Sequence, residues 1–331
     1  LPFRTPLLPS PAAFDIRHDH RLLLLGSCFT EHIGQKLADR KFRCLINPFG
    51  IVYNPISMAH CLERVAIGSQ NFSDADLFEN AGLWHSWEHH GRFSHPDPVV
   101  ALQAINEMYD AAVSWLKDSP FLLLTFGTAD VFFLRETGQI VANNHKMPDS
   151  KFYSRRLSVA EIVDTTVAAL QKSEKVARQS SEPPFQVILS VSPVRHLRMG
   201  LVENQRSKAA LILACDEICR ALPFVHYFPA YELLMDDLRD YRFYGADMVH
   251  PSEVAIDYVW DFFCETCFSR ATRLLTEQIE KIRASARHRP FHPDTAQHRA
   301  FVSSQLEAIA RLKASHPSLD FATEEARFKA G

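Results

Sequence analysis

Leu22-Leu23-Leu24-Leu25-Gly26-Ser27-Cys28-Phe29-Thr30 is the stretch whose reading decides the fold. Four consecutive leucines are too few for a membrane span and suit a fully buried, parallel strand. Gly26 breaks the run, and Thr30-Glu31-His32-Ile33-Gly34-Gln35-Lys36-Leu37 reads as a helix with Ile33 and Leu37 on one face. Strand, glycine turn and helix start put Ser27 at the carboxyl edge of a sheet beside a helix N-terminus. Open α/β folds bind ligands at that edge. On this stretch alone, an ordinary βα turn stands level with a ligand site.

Outward from that stretch the chain alternates. Phe42–Ile46 reads as a second strand running into the turn-rich Asn47-Pro48-Phe49-Gly50-Ile51-Val52-Tyr53-Asn54-Pro55. A helix is expected over Ile56–Ile67 with Ser57 as its cap, and another over Pro98–Lys117. Phe121–Phe126 and Phe185–Val191 are further buried strands, and Val225–Pro229 is a short fifth. Between them lie a hairpin over Val131–Val141 and helices over Ser158–Arg178, with a Ser158/Glu161 capping box, and over Asn204–Leu222. The repeated β-α order with long crossovers predicts an α/β fold: a three-layer αβα sandwich on a mainly parallel five-stranded sheet. Helix resumes over Glu253–Phe268, and everything after Ser269 is helical, at about 270–288 and 295–315 around a Pro290–Pro293 break. The expected organisation is an α/β domain over 1–268, with an inserted loop at about 68–98, and a helical extension over 269–331. Residues 1–20, with four prolines, read as an extended arm.

The 331 residues are 47% hydrophobic and 23% charged with a formal net charge of −3, an ordinary globular balance. That charge argues against nucleic acid or an anionic membrane as the main partner, and no apolar run reaches the ~20 residues of a spanning helix. Seven cysteines do not make a disulfide framework in a chain this long. Reduced thiols point to the cytoplasm; because the sequence starts at Leu1 and not at methionine, export stays open beside it.

Three strand ends converge on one edge: Ser27, Gly127-Thr128 and the Ser192–His196 loop. A serine hydroxyl needs a base, and the base an orienting partner. Asp247-x-x-His250 supplies both from one turn, with a carboxylate holding one ring nitrogen and the other free for a serine.

With these residues in view the sequence closely resembles the GSCFA family, which is related to the GDSL-type, or SGNH, hydrolases. The resemblance rests on Gly26-Ser27-Cys28-Phe29, Asn47-Pro48-Phe49-Gly50, Phe126-Gly127-Thr128-Ala129, Asn144-His145-Lys146, Ser192-Pro193-Val194-Arg195-His196 and Asp247-Met248-Val249-His250-Pro251, over roughly residues 20–265. It implies a flavodoxin-like fold and a serine esterase or acyltransferase, with Ser27 as nucleophile, His250 as general base and Asp247 as its partner. It also implies an oxyanion hole, in which Gly50 matches the glycine donor. The asparagine of the usual G-x-N-D block is replaced by Ala129, and Asn54, Thr128 and Asn143 are the candidates to stand in for it. Losing one such donor typically costs ~10²–10³ in rate.

Other readings compete. Cys28 beside Ser27 is an alternative nucleophile. His85, His89, His90 and His95 form a candidate metal cluster, or part of a substrate-covering loop in which Trp84 and Trp87 stack on a sugar ring. Cys264-x-x-Cys267 lies in an apolar helix and reads as core. His145, Arg195 and His196 are candidates to hold an anionic or carbonyl group, with an Arg195–Glu203 ion pair as the plainer role. Gln205, Arg206 and Lys208 read as the solvated face of a helix.

The expected activity is hydrolysis or transfer of an acyl group, an O-acetyl saccharide among the candidate substrates, without a cofactor. Two alternatives stand beside it: a catalytically weak carbohydrate-binding protein, and a metal-dependent enzyme using the His85–His95 cluster. Self-association through 269–331 is a further expectation.

Overall fold

Five parallel strands form the central sheet: β1 (Arg21–Gly26), β2 (Arg43–Ile46), β3 (Phe121–Phe126), β4 (Gln186–Val191) and β5 (Val225–Phe228), in the order β2-β1-β3-β4-β5. A computed structural model describes residues 4–177, 183–288, 291–292 and 294–330 of the chain. Leu22 to Leu25 pair with Phe121 to Leu124 and are at most 1% exposed, which is why the run is apolar at every position and not at alternate ones. The order matches the flavodoxin-like arrangement, whose switch point lies between β1 and β3. Ser27 and Gly127 follow those two strands.

Helices flank the sheet: α1 (Cys28–Asp39), α2 (Pro55–Ile67), α3 (Pro98–Lys117), α4 (Val159–Ala177), α5 (Leu201–Ala221) and α6 (Glu253–Cys267). This is the three-layer α/β arrangement expected. The Ser158/Glu161 capping box is present, Ser158 N–H donating to Glu161 at 2.8 Å and Glu161 N–H to Ser158 Oγ at 3.2 Å. The cap of α2 is Asn54 and not Ser57: Asn54 Oδ1 accepts the Ser57 N–H at 2.8 Å, and Pro55 occupies the first helical position, where no donor is needed.

The stretch at 68–98 is more regular than its polarity suggested. It holds a hairpin of Phe78–Asn80 and Leu83–His85, turned by Ala81 and Gly82 at φ 52° and 78°. The expected hairpin over Val131–Val141 is present as Asp130–Leu134 with Ile140–Val141, and Phe152–Arg156 adds a third strand.

The chain divides into two units. The first holds residues up to 8, 21–35 and 44–261; the second gathers residues 9–20, 36–43 and 262–331, so the expected 1–20 arm is shared between them. The division falls at 261/262, ahead of the expected 268/269. Stacking explains the shift: within the second unit His18 lies on Phe42 (3.9 Å), Phe42 on Phe268 (4.9 Å) and Phe268 edge-on to Phe263 (5.7 Å). The expected arm takes part in it, with Ala12 and Ile16 N–H groups donating to the Thr266 and Cys267 carbonyls.

This unit contains α7 (Arg270–Arg287), α8 (Ala296–Ser315) and α9 (Ala322–Ala330), the last absent from the sequence reading. Ile279, Ile282, Ile309, Leu312, Phe321 and Phe328 form its core, and Lys41–Glu324 and Arg283–Asp39 ion pairs of 2.8 and 2.6 Å tie the 36–43 segment in. Arg178, Pro290 and Pro293 lie outside the described residues. Among the described residues no helix is long and apolar enough to cross a membrane.

Candidate active site

Gly26 is required by space. A Cβ there would lie 2.3 Å from Thr30 Oγ1 and 2.7 Å from the Thr125 carbonyl oxygen. The Gly26 N–H donates to Asn47 Oδ1 at 2.9 Å, and the Asn47 N–H returns to Leu24 O, so the 47–52 loop is splinted to the end of β1. Ser27 follows at the N-terminus of α1 and is 1% exposed; its Oγ accepts the Phe29 N–H at 3.3 Å. Among the described residues the Ser27 N–H has no acceptor and the Cys28 N–H meets only its own thiol. They point from a helix start, where partial positive charge collects.

Cys28 is a poor rival nucleophile. Burial pushes its thiol above the ordinary value, and its Sγ lies 3.9 Å from the Tyr53 hydroxyl. Among the described residues no neighbouring cation stabilises a thiolate there.

Gly50 does not serve as expected. Its φ of +78° and a virtual Cβ 2.3 Å from His90 Cβ demand glycine, but its N–H donates to Asn47 O at 2.7 Å. The turn that requires glycine also consumes the donor. Asn54 is spent on the α2 cap, its Nδ2 donating to Ser57 Oγ at 3.0 Å.

At the ends of β3 and β4 the chain is held from two sides. Tyr53 O accepts both the Gly127 and Thr128 N–H groups, at 2.7 and 3.1 Å. From α5, Lys208 Nζ donates to Gly127 O and Ser192 O, Ser207 Oγ accepts the Ala129 N–H at 2.7 Å, and Asn204 Oδ1 accepts the His196 N–H at 2.9 Å. Ala129 itself is fully buried in the main core, so this position faces packing and not the cleft. Lys208 is buried, contrary to the solvated face expected of it, while Gln205 and Arg206 are exposed as read.

His196 lies edge-on to Tyr53 with centroids 5.2 Å apart. Burial, then the charges of Lys208 and His250, lowers its pKa to about 4 and keeps the ring neutral.

The structure joins Asp247 to His250. Asp247 Oδ2 lies 2.6 Å from His250 Nδ1, while Oδ1 accepts the Val249 and His250 N–H groups at 2.9 and 3.0 Å. The His250 N–H, its imidazole and the Val249 N–H hold the Asp247 carboxyl well below the usual carboxylate range. Met248, at φ 58°, makes the bend that closes this loop.

Arg195 locks the loop in place and does not pair with Glu203. Its N–H donates to Val249 O, its guanidinium donates to Met248 O at 3.3 Å, and it stacks on Tyr244 at 4.0 Å. Glu203 is taken by Arg156 and Arg206. Among the described residues no hydrogen bond joins Ser27 to His250; Cys28 beside Ser27 reaches Tyr53, Tyr53 packs on His196, and the charge of His250 acts on the His196 ring.

A cavity of about 230 Å³ opens on the Tyr53 and His196 side of these turns, lined among others by Tyr53, Asn54, Thr128, Asn143, Asn144 and His196; among the described residues Ser27, Asp247 and His250 flank it and do not line it. Arg198 and Asp130 also line it, each with an opposite charge, Asp149 and Arg156. Four proposed substrate residues lie elsewhere. His145 is buried with Nε2 2.8 Å from Ser86 O, and burial lowers its pKa to about 4. Trp87 stacks on Phe78 at 3.7 Å. His89 packs on Phe49 with Nδ1 3.0 Å from Ser86 Oγ, and burial lowers its pKa to about 3. His90 packs its Cβ on Gly50.

Trp84 is half-buried and pairs through its backbone with His95. His85 uses both ring nitrogens, toward Ser94 Oγ and Asn80 O. The histidine-rich loop is thus an internally bonded aromatic cluster, and among the described residues no three His, Cys, Asp or Glu side chains group to hold a metal ion.

Tyr53, Asn204, Ser207 and Lys208 were missed from sequence. The last three recur at helical spacing with the buried Leu211, and that period was the available signal.

A family model described as GSCFA family matches residues 21–263, and one described as the C-terminal domain of GSCFA domain proteins matches residues 279–331. No curated protein matches the chain. The two matches cover nearly the whole sequence, and the chain belongs to the GSCFA family.

Proposed function

We propose that the protein is a serine esterase or acyltransferase. The observation that carries this reading is the Asp247–His250 pair: a 2.6 Å contact at Nδ1 fixes the tautomer and leaves Nε2 as a proton acceptor. Ser27 Oγ attacks the acyl carbonyl carbon while His250 Nε2 takes the hydroxyl proton. The tetrahedral intermediate expels the alcohol, which receives that proton, and leaves acyl-Ser27. Water or a second alcohol then attacks with His250 again as base. With Gly50 committed, the oxyanion falls to the Ser27 and Cys28 N–H groups at the start of α1. Ser27 is buried, and its hydrogen bond to Nε2 has to form with substrate bound, as catalytic contacts commonly do.

The cavity is smaller than the ~300–1,000 Å³ of drug-sized sites. Its charges are paired, which leaves amides and hydroxyls to meet the substrate. This suits a small neutral ester such as an O-acetyl group on a saccharide. The occupied Gly50 N–H favours one second reading, a weakly catalytic carbohydrate-binding protein.

Turnover of p-nitrophenyl acetate by the wild type, Ser27→Ala and His250→Ala separates the two. The hydrolase reading expects both variants to lose turnover; activity that survives both overturns it.

A further inference from the structure

Asn204, Ser207 and Lys208 stand at i, i+3 and i+4 on α5, and all three are buried, Lys208 at 1% exposure. An ammonium taken out of water costs several kcal/mol, and an apolar side chain of similar volume would spare the fold that cost. The fold therefore does not call for a lysine; the two strand-end carbonyls do. Lys208 Nζ donates to Gly127 O at 2.7 Å and to Ser192 O at 2.6 Å, one at the end of β3 and one at the end of β4.

Its neighbours complete the grip. Ser207 Oγ accepts the Ala129 N–H and lies 3.1 Å from Thr128 Oγ1, and Asn204 Oδ1 accepts the His196 N–H. Both loops so held, through Thr128 and His196, line the cavity.

We propose that Lys208 is a positioning residue: its buried Nζ ties the Gly127 and Ser192 carbonyls together and, with Asn204 and Ser207, sets the two cavity walls that carry Thr128 and His196. It touches no reacting atom. The same charge reaches His196 and, after burial, helps keep that ring neutral. The inference rests on the hydrolase reading only for its effect on rate; the placement of His196 is tested without it.

The test is Lys208→Met in the full chain, followed by three readouts. The NMR titration midpoint of His196 is expected to rise from about 4 toward, without reaching, the ordinary 6.5, because burial remains. The kcat for p-nitrophenyl acetate is expected to fall about 10²-fold, the cost of misplaced groups, with KM little changed. The melting temperature is expected to fall by a few degrees while the variant stays folded, because the Gly127 and Ser192 carbonyls lose a donor and the fold is spared a buried charge. A folded variant with an unmoved His196 midpoint and unchanged kcat overturns the proposal.

Should Lys208→Met fail to fold, Asn204→Ala removes the His196 grip alone and is expected to lower kcat similarly; unchanged kcat there counts equally against it. A wild type without Ser27-dependent turnover defeats the hydrolase reading, and the His196 midpoint then decides the placement of Lys208 by itself.

Discussion

Asp247→Asn puts the catalytic reading under direct load. The carboxylate does two jobs with two oxygens: Oδ1 caps the Val249 and His250 N–H groups, and Oδ2 holds His250 Nδ1 at 2.6 Å. An asparagine keeps the first job, because its carbonyl oxygen still accepts both N–H groups, so the bend at Met248 survives. The second job inverts. The amide NH₂ now faces Nδ1, which must accept, and the imidazole proton moves to Nε2, where a base is needed.

A positioned general base is worth about 10²–10⁴ in rate. Both side chains are about half exposed here, 42% for His250 and 52% for Asp247, so water substitutes in part and the lower half of that range applies. The expected loss in kcat/KM for p-nitrophenyl acetate is therefore about 10²–10³-fold, with an unchanged circular-dichroism melt. A folded Asp247→Asn protein within about threefold of wild type would refute the reasoning, because the one short contact at Nδ1 would then have no kinetic consequence.

Two further predictions concern the scaffold. Gly50 and Gly82 share a φ of +78°, but a Cβ meets His90 at 2.3 Å in the first and open space in the second. Alanine at Gly82 is expected to cost about 1–2 kcal/mol of backbone strain, and at Gly50 a further ~1–3 from overpacking, read as urea midpoints; equal losses would show that the His90 contact does not matter. Burial lowers His89 to about 3 and His18 to about 4, so the unfolded chain takes up protons first as pH falls. Stability is full above about pH 6.5 and drains toward pH 3, with His89 alone accounting for on the order of 4 kcal/mol. His89→Phe, in a pocket already lined by Phe49 and Phe72, should flatten that acid limb; an unchanged slope would assign the loss to other groups.

The fold was legible because its decisive signals are local. Leu22–Leu25 have no polar alternation to confuse them, and Gly26 has backbone and side chains within 3 Å of any Cβ, so the strand and its end follow from sequence. The Asp247–His250 pair was legible for the same reason, since three residues separate its members.

What depends on distant partners was not. Nothing near Gly50 announces that its N–H turns back to Asn47 O, and nothing near His145, His89 or Trp87 says that Ser86 and Phe78 absorb them. Lys208 reads as surface from its charge, and only the helical period shared with Leu211 points inward.

The central claim is that Ser27 is the nucleophile, and the site of a covalent adduct tests it most directly. Treated with a fluorophosphonate and mapped by peptide mass spectrometry, the wild type is expected to carry the adduct on Ser27, and Ser27→Ala to carry none. An adduct on another residue that persists in Ser27→Ala, or an unlabelled wild type that still turns over p-nitrophenyl acetate, would contradict the account.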